Sequence, residues 1–239
     1  MIEMRLSPDE IIFWHWGPVT LNATIFFTWL VMGVLVLGSW LATRRMTGDF
    51  HPTRWQNLLE ALVTLMRDQI RDISRQEPGR YLPFVGSLFL FIAASNLLII
   101  IPGYEPPTGS LSTTVALAAC VLLSVPFYGV ARNGLRGYVK HYIEPSFIML
   151  PFHIIGEFTR TVSLAVRLYG NIMSGSVIIA ILLSIAPLFF PIIMQVLGLL
   201  VGLIQAYIFA VLAMVYIASA ATAHAEKEQA GQQPGKGES

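Results

Sequence analysis

Long apolar runs separated by short charged segments dominate the chain. A membrane helix needs about 20 mainly apolar residues, and five regions reach that length: Leu21 to Thr43, Leu82 to Ile101, Leu111 to Ala131, about 152–185 and about 191–223. The first closes at Arg44 and Arg45, the second at Pro102-Gly103, and the third at Arg132. The first run is too long for a signal-peptide core and no small-residue cleavage motif follows it, so it reads as a retained span. A different pattern fills the gap between the first two runs. From Arg54 to Arg75, the residues Leu58, Leu59, Leu62, Leu65, Met66 and Ile70 oppose Glu60, Arg67, Asp68, Arg71 and Asp72. That periodicity predicts an amphipathic helix, lying on the membrane surface or packed on another protein. The expected fold is an all-α integral membrane protein with about five membrane helices and one surface helix. A single membrane domain over residues 21–222 follows an external segment 1–20 and precedes a flexible polar tail at 223–239.

Composition supports the membrane reading. Of 239 residues, 55% are hydrophobic and 12% charged, and mean hydropathy is +0.65, whereas a soluble domain carries about 25% charged residues. Fifteen Lys and Arg against 14 Asp and Glu leave a net charge of +1, which argues against nucleic acid as a partner. The one cysteine, Cys120, excludes an internal disulfide and argues against a cysteine-based metal site. Cations mark the cytoplasmic side of a membrane protein. Seven arginines lie between Arg44 and Arg80, and Arg132, Arg136 and Lys140 follow the third run, whereas the loop from Pro102 to Ser110 carries only Glu105. With five crossings, the N-terminus is expected outside and the C-terminus in the cytoplasm. The glycines form no phosphate-binding loop. His15, His51, His141 and His224 are too scattered to suggest a metal cluster, so no cofactor and no metal are expected.

From Leu168 to Ala225 there is no Asp, Glu, Lys or Arg, and Arg167 stands at the head of that stretch. A charge near mid-membrane costs several kcal/mol, and a guanidinium cannot shed its proton to escape the cost. On a helix, Arg160, Ser163, Arg167, Asn171 and Ser174 share one face. Glu157 lies ten residues away, about 15 Å along a straight helix, so the counter-charge for Arg167 is expected on another chain. The alternative is that Arg167 snorkels to an interface or forms an internal ion pair. A second stripe comprises Gln195, Gly198, Gly202, Gln205, Phe209, Leu212, Tyr216 and Ser219. Gly198 and Gly202 form a small-xxx-small element. Gln205, set in apolar sequence, needs a hydrogen-bond partner, in a functional site or as glue between helices.

The segment Ser163-Leu-Ala-Val-Arg-Leu-Tyr-Gly-Asn171 resembles the signature of subunit a in the membrane (Fo) sector of rotary F-type ATP synthases. Gln205-Ala-Tyr-Ile-Phe209, with Tyr216 beyond it, resembles the matching signature in that family's last helix. Similarity extends in order through Phe13-Trp14, Ser95-Asn96-Leu97, Pro106-Pro107-Thr108 with Ser112 to Ala116, and Pro145 to Pro151. The resemblance implies a stator subunit beside a rotating ring of small hairpin subunits, each bearing a membrane carboxylate. It also implies peripheral-stalk partners, a bacterial inner-membrane location and surrounding lipid. The last two helices would be long and tilted against the ring, with Pro187 and Pro191 at their turn. Arg167 becomes the essential arginine, with Asn171 and Gln205 as polar neighbours.

Such a subunit is not an enzyme by itself; it conducts ions between two half-channels, and catalysis belongs to other subunits. Ser176 and Gly198 stand where many members of the family carry ionisable groups, and Ser110 where an acid is common. Glu105, Glu157, His153 and waters beside Asn96 are left as candidates for the ion path. For His153 a hydrogen-bonded helix-packing role is the preferred reading. The ring selects the coupling ion, so the chain leaves proton and sodium both open. Two other functions compete: a stand-alone transporter or channel in which Arg167 binds an anionic substrate, and a purely structural anchor. Transporters of that kind are often built from paired repeats, and no internal repeat is apparent here.

Overall fold

The computed structural model describes residues 12–16, 19–44, 54–74, 78–101, 103–143, 149–186 and 190–222. Strands β1 (Ile12–Trp16) and β2 (Val19–Asn22) form an antiparallel hairpin, with Trp16 opposite Val19. Gly17 and Pro18, which join them, lie outside the described residues, as do the first eleven residues and the tail beyond 222. The hairpin is an addition to the all-α expectation. It precedes the membrane helices and leaves their arrangement unchanged.

Six α-helices follow among the described residues: α1 (Ala23–Arg44), α2 (Arg54–Ser74), α3 (Leu82–Leu97), α4 (Leu111–Ile143), α5 (Met149–Ile185) and α6 (Phe190–Thr222). All but α2 contain a stretch long and apolar enough to cross a membrane. Their outer faces are apolar too. Phe152 is 68% exposed and Ile185 74%, a surface that hydrocarbon stabilises and water does not.

Local sequence sets where these helices begin and bend. Pro83 lies in the first turn of α3, where a missing N–H costs nothing. Gly103 takes φ +88° in the loop after α3, a backbone state that favours glycine. Helix α4 runs on past the apolar stretch Leu111–Ala131 but is broken at Gly134, with φ 70° and ψ 162°. That conformation is essentially restricted to glycine. The side chains of Arg132, Arg136 and Lys140, residues 145–148 of the Pro145 to Pro151 motif, and Pro187, expected at the turn before the last helix, lie outside what is described.

The core sits where α3, α4, α5 and α6 meet. One cluster joins Ile92 of α3, Val121 of α4, Leu164 and Leu168 of α5, and Phe209 of α6. A second joins Met66 and Ile70 of α2 to Val85, Val125, Met214 and Ile217. The amphipathic helix therefore packs its apolar face on α3 and α6 of its own chain. Glu60, Arg67, Asp68, Arg71 and Asp72 are exposed, as the pattern predicts. Leu65 departs from it: 51% exposed, it lies off the packed face. Leu58 and Leu59 lie outside the described side chains. Helix α1 is peripheral and touches mainly α3, β2 and the turn Pro107–Gly109.

Candidate ion-translocation site

Helix α5 presents its polar stripe outward. Arg160, Ser163, Arg167 and Ser174 are exposed and Asn171 is half-buried, while Leu164, Ala165 and Leu168 on the adjoining face are buried. The helical period thus splits the helix into a packed side and an open polar side. The two arginines on that open side differ. The Arg160 guanidinium lies over the Tyr216 ring of α6, 5.5 Å from its centroid, a cation–π contact. Arg167 makes no ion pair or ring contact among the described residues.

Two clefts flank Arg167 along α5. The first, about 240 Å³, lies between the Tyr104–Gly109 loop, α5 and α6, and its walls include Glu105, Asn171, Ser176, Gln195 and Gly198. Glu105 is the only carboxylate among its lining residues. Tyr104 is fixed by Phe27 of α1, with ring centroids 5.0 Å apart and edge to face. Burial pushes its phenol well above the usual tyrosine range, against a smaller lowering by Ser95, so it carries no charge at neutral pH. Ser176 and Gly198, the positions noted as lacking ionisable groups, both line this cleft. The second cleft, about 320 Å³, opens between α4, α5 and α6 at the other end, and His153, Glu157, Arg160, Tyr216 and Ser219 line it.

Asn171 is one turn from Arg167, about 6 Å along the axis, and Thr161 of the second cleft is about 9 Å away in the other direction. Arg167 and Ser163 line neither cleft; they occupy the open face between the two.

Asn96 and Gln205 sit deeper. Asn96 is fully buried and lines neither cleft. Its Nδ2 donates to the Gly202 carbonyl at 2.8 Å, and Thr108 Oγ1 donates to its Oδ1 at 3.4 Å. A Cβ on Gly202 would stand 3.0 Å from Asn96 Cγ and Nδ2. Of the small-xxx-small pair, Gly202 thus admits a side chain from α3, while a Cβ at Gly198 would meet nothing within 4 Å. Gln205 is 6% exposed, and its Nε2 has no hydrogen-bond partner among the described residues. Gln195 Nε2 donates to the Ile99 carbonyl at 3.2 Å, fastening α6 to the end of α3.

Sequence reasoning missed Tyr104 and named Ser95 only within the Ser95-Asn96-Leu97 motif, without a role. Ser95 is fully buried, with its hydroxyl directed to the Tyr104 phenol. The one sequence signal for Tyr104 is its place beside Glu105, the lone charge of the loop.

Comparison with known proteins gives the geometry its context. A family profile described as ATP synthase A chain matches residues 25–218. The chain is 64% identical over 217 residues to ATP synthase subunit a 2 of Acaryochloris marina, covering 91% of this chain and 93% of that one. It is 57% identical over 229 residues to ATP synthase subunit a of Albidiferax ferrireducens, covering 96% and 99%. With ATP synthase subunit a of Nitrosospira multiformis it shares 53% identity over 232 residues, covering 97% and 92%. The chain belongs to the ATP synthase A chain family.

Proposed function

We propose that this chain is the ion-translocating stator subunit of an F-type ATP synthase, with Arg167 facing a membrane carboxylate on a rotor ring. The observation that carries the reading is an arginine on an open helical face, without a partner carboxylate among the described residues, between two clefts at opposite ends of the same helix. The loop-side cleft, with Glu105 and Asn171, is the outer half-channel. The cleft lined by His153, Glu157 and Tyr216 is the inner one. The cations between Arg44 and Arg80 put the N-terminus outside and the C-terminus in the cytoplasm.

Electrostatics gives the cycle. An ionised carboxylate cannot be carried through hydrocarbon at reasonable cost, so a ring site enters lipid only as the neutral acid or with its ion bound. As that site rotates to Arg167, the fixed positive charge favours the ionised carboxylate and promotes release into one half-channel. The same guanidinium blocks a direct ion leak between the half-channels by repulsion. Each ion crossing a potential of 100 mV contributes about 2.3 kcal/mol, so several crossings drive each ATP. The ring's site chooses between proton and sodium; Arg167 serves either.

Reconstitution tests this reading. The chain alone in liposomes should accumulate neither ion nor solute, and ATP-driven uptake should appear only with the ring, the stalk and the catalytic sector present. Uptake of an anionic solute by the chain alone would make it a stand-alone transporter instead. A lumenal pH dye and radioactive sodium, read in parallel, identify the coupling ion. Within the complex, Glu105→Gln should lower the rate at limiting ion concentration by about tenfold, because a single carboxylate concentrates cations at the mouth of the cleft. The deficit should close at saturating ion; a deficit of the same size at every concentration would remove Glu105 from the access route.

A further inference from the structure

We propose that the groove between α1 and α3, at the Arg44 end of α1, binds one anionic glycerophospholipid, with its phosphate on Arg44. The groove has a volume of about 350 Å³, and its walls are Leu35, Val36, Ser39 and Trp40 of α1 with Ser87 and Leu90 of α3. Both helices are apolar enough to span a membrane, and Val36 is 70% exposed, so the groove opens toward acyl chains. Chemistry changes along its length. Leu35, Val36 and Leu90 form its apolar part, and Ser39 and Trp40 lie nearer the end of α1.

Arg44 supplies the charge complementarity. It lies three residues beyond the apolar stretch Ala23–Leu41 and is exposed, the depth at which lipid phosphates begin. Its guanidinium is 4.9 Å from the centroid of the Trp40 ring. Trp40 therefore lines the groove and also carries the cation at its mouth. The ring contact restrains the guanidinium, whose N–H groups can make bidentate contact with a phosphate. No carboxylate pairs with Arg44 among the described residues. Ser87 Oγ donates to the Phe84 carbonyl at 2.8 Å, which leaves its lone pairs free to accept from a headgroup hydroxyl. A tryptophan at the membrane interface beside an arginine is also the composition that anchors a helix among headgroups. The site stands apart from the open face of α5 and does not rest on the role given to Arg167.

Native mass spectrometry of the full chain, in detergent with added phosphatidylglycerol or phosphatidylcholine of matched acyl chains, tests the proposal. The unmodified chain should retain one phosphatidylglycerol with about tenfold preference. Arg44→Gln should abolish the preference, Arg44→Lys should keep part of it, and Ser87→Phe, which fills the groove and spares the cation, should also lower retention. ATP-driven ion uptake by the complex should survive all three. No preference in the unmodified chain, or preference that persists in Arg44→Gln or in Ser87→Phe, would overturn the site. In the assembled complex, cross-linking of Ser87→Cys to another subunit would assign the groove to a protein partner and overturn it equally.

Discussion

Arg167→Ala is expected to abolish ATP synthesis driven by an ion gradient while the complex still assembles. The side chain is exposed on α5 and makes no ion pair or ring contact among the described residues, so its removal leaves no internal cavity and unpairs nothing among them. On the proposed function, the loss falls on the ring carboxylate that Arg167 would face. Removing one partner of a buried charge pair costs about 3–5 kcal/mol, and each 1.36 kcal/mol in a barrier is about a tenfold change in rate. Coupled turnover should therefore drop by at least about a hundredfold. Passive ion leak through the membrane sector should rise, since the fixed charge between the clefts is gone. Arg167→Lys should also fail to couple: an ammonium can lose its proton on burial, whereas a guanidinium cannot. Both quantities are read on reconstituted vesicles, coupling as ATP made per imposed gradient and leak as gradient decay without nucleotide. Normal coupling in Arg167→Ala would reduce the polar stripe to helix glue and the chain to an anchor.

Gly202→Val carries the second large effect, on folding. At this position α3 and α6 meet through a side chain: Asn96 Nδ2 reaches the Gly202 carbonyl at 2.8 Å, and even a Cβ would come within 3.0 Å of it. A valine forces Asn96 away. The asparagine amide, fully buried, then loses its acceptor and is left unsatisfied at about 1–3 kcal/mol, with overpacking adding about 1–3 kcal/mol. The substitution should lower the thermal unfolding midpoint of the purified subunit and its yield in membranes. Gly198→Val is the control, since a Cβ there meets nothing within 4 Å; it should leave stability unchanged. Equal destabilisation by the two would show that the Asn96 contact is not what fastens these helices.

The spans were legible in the sequence because bilayer thickness dictates the length of an apolar run, and charges or prolines punctuate it. The open position of Arg167, without an ion pair among the described residues, was legible for a related reason: an isolated charge in a long uncharged stretch is costly and is expected to find its partner outside its own helix. Features that depend on contacts between distant segments were not. Asn96 and Gly202 are 106 residues apart, and nothing local says that the glycine serves an asparagine side chain and not a neighbouring helix backbone. Periodicity put Arg160 and Arg167 on the same stripe with equal weight, yet Arg160 is engaged by Tyr216 and Arg167 is not. That distinction requires the packing of α6 against α5. Leu65 illustrates the opposite error: it fits the apolar phase of α2, but the face packed on α3 and α6 is narrower than the apolar arc.

The claim that Arg167 faces a rotor carboxylate is tested most directly by cross-linking along the open face of α5. Cys120, the only native cysteine, is first replaced by serine. Ser163→Cys or Ser174→Cys, both on exposed positions of that face, is then paired with cysteines on the carboxylate-bearing helix of the ring subunit and oxidised in the assembled complex. Disulfides to the ring from both positions, with loss of ATP-driven uptake that returns on reduction, are the predicted result. Failure of both positions to reach the ring, or cross-linking of this face to another subunit, would contradict it.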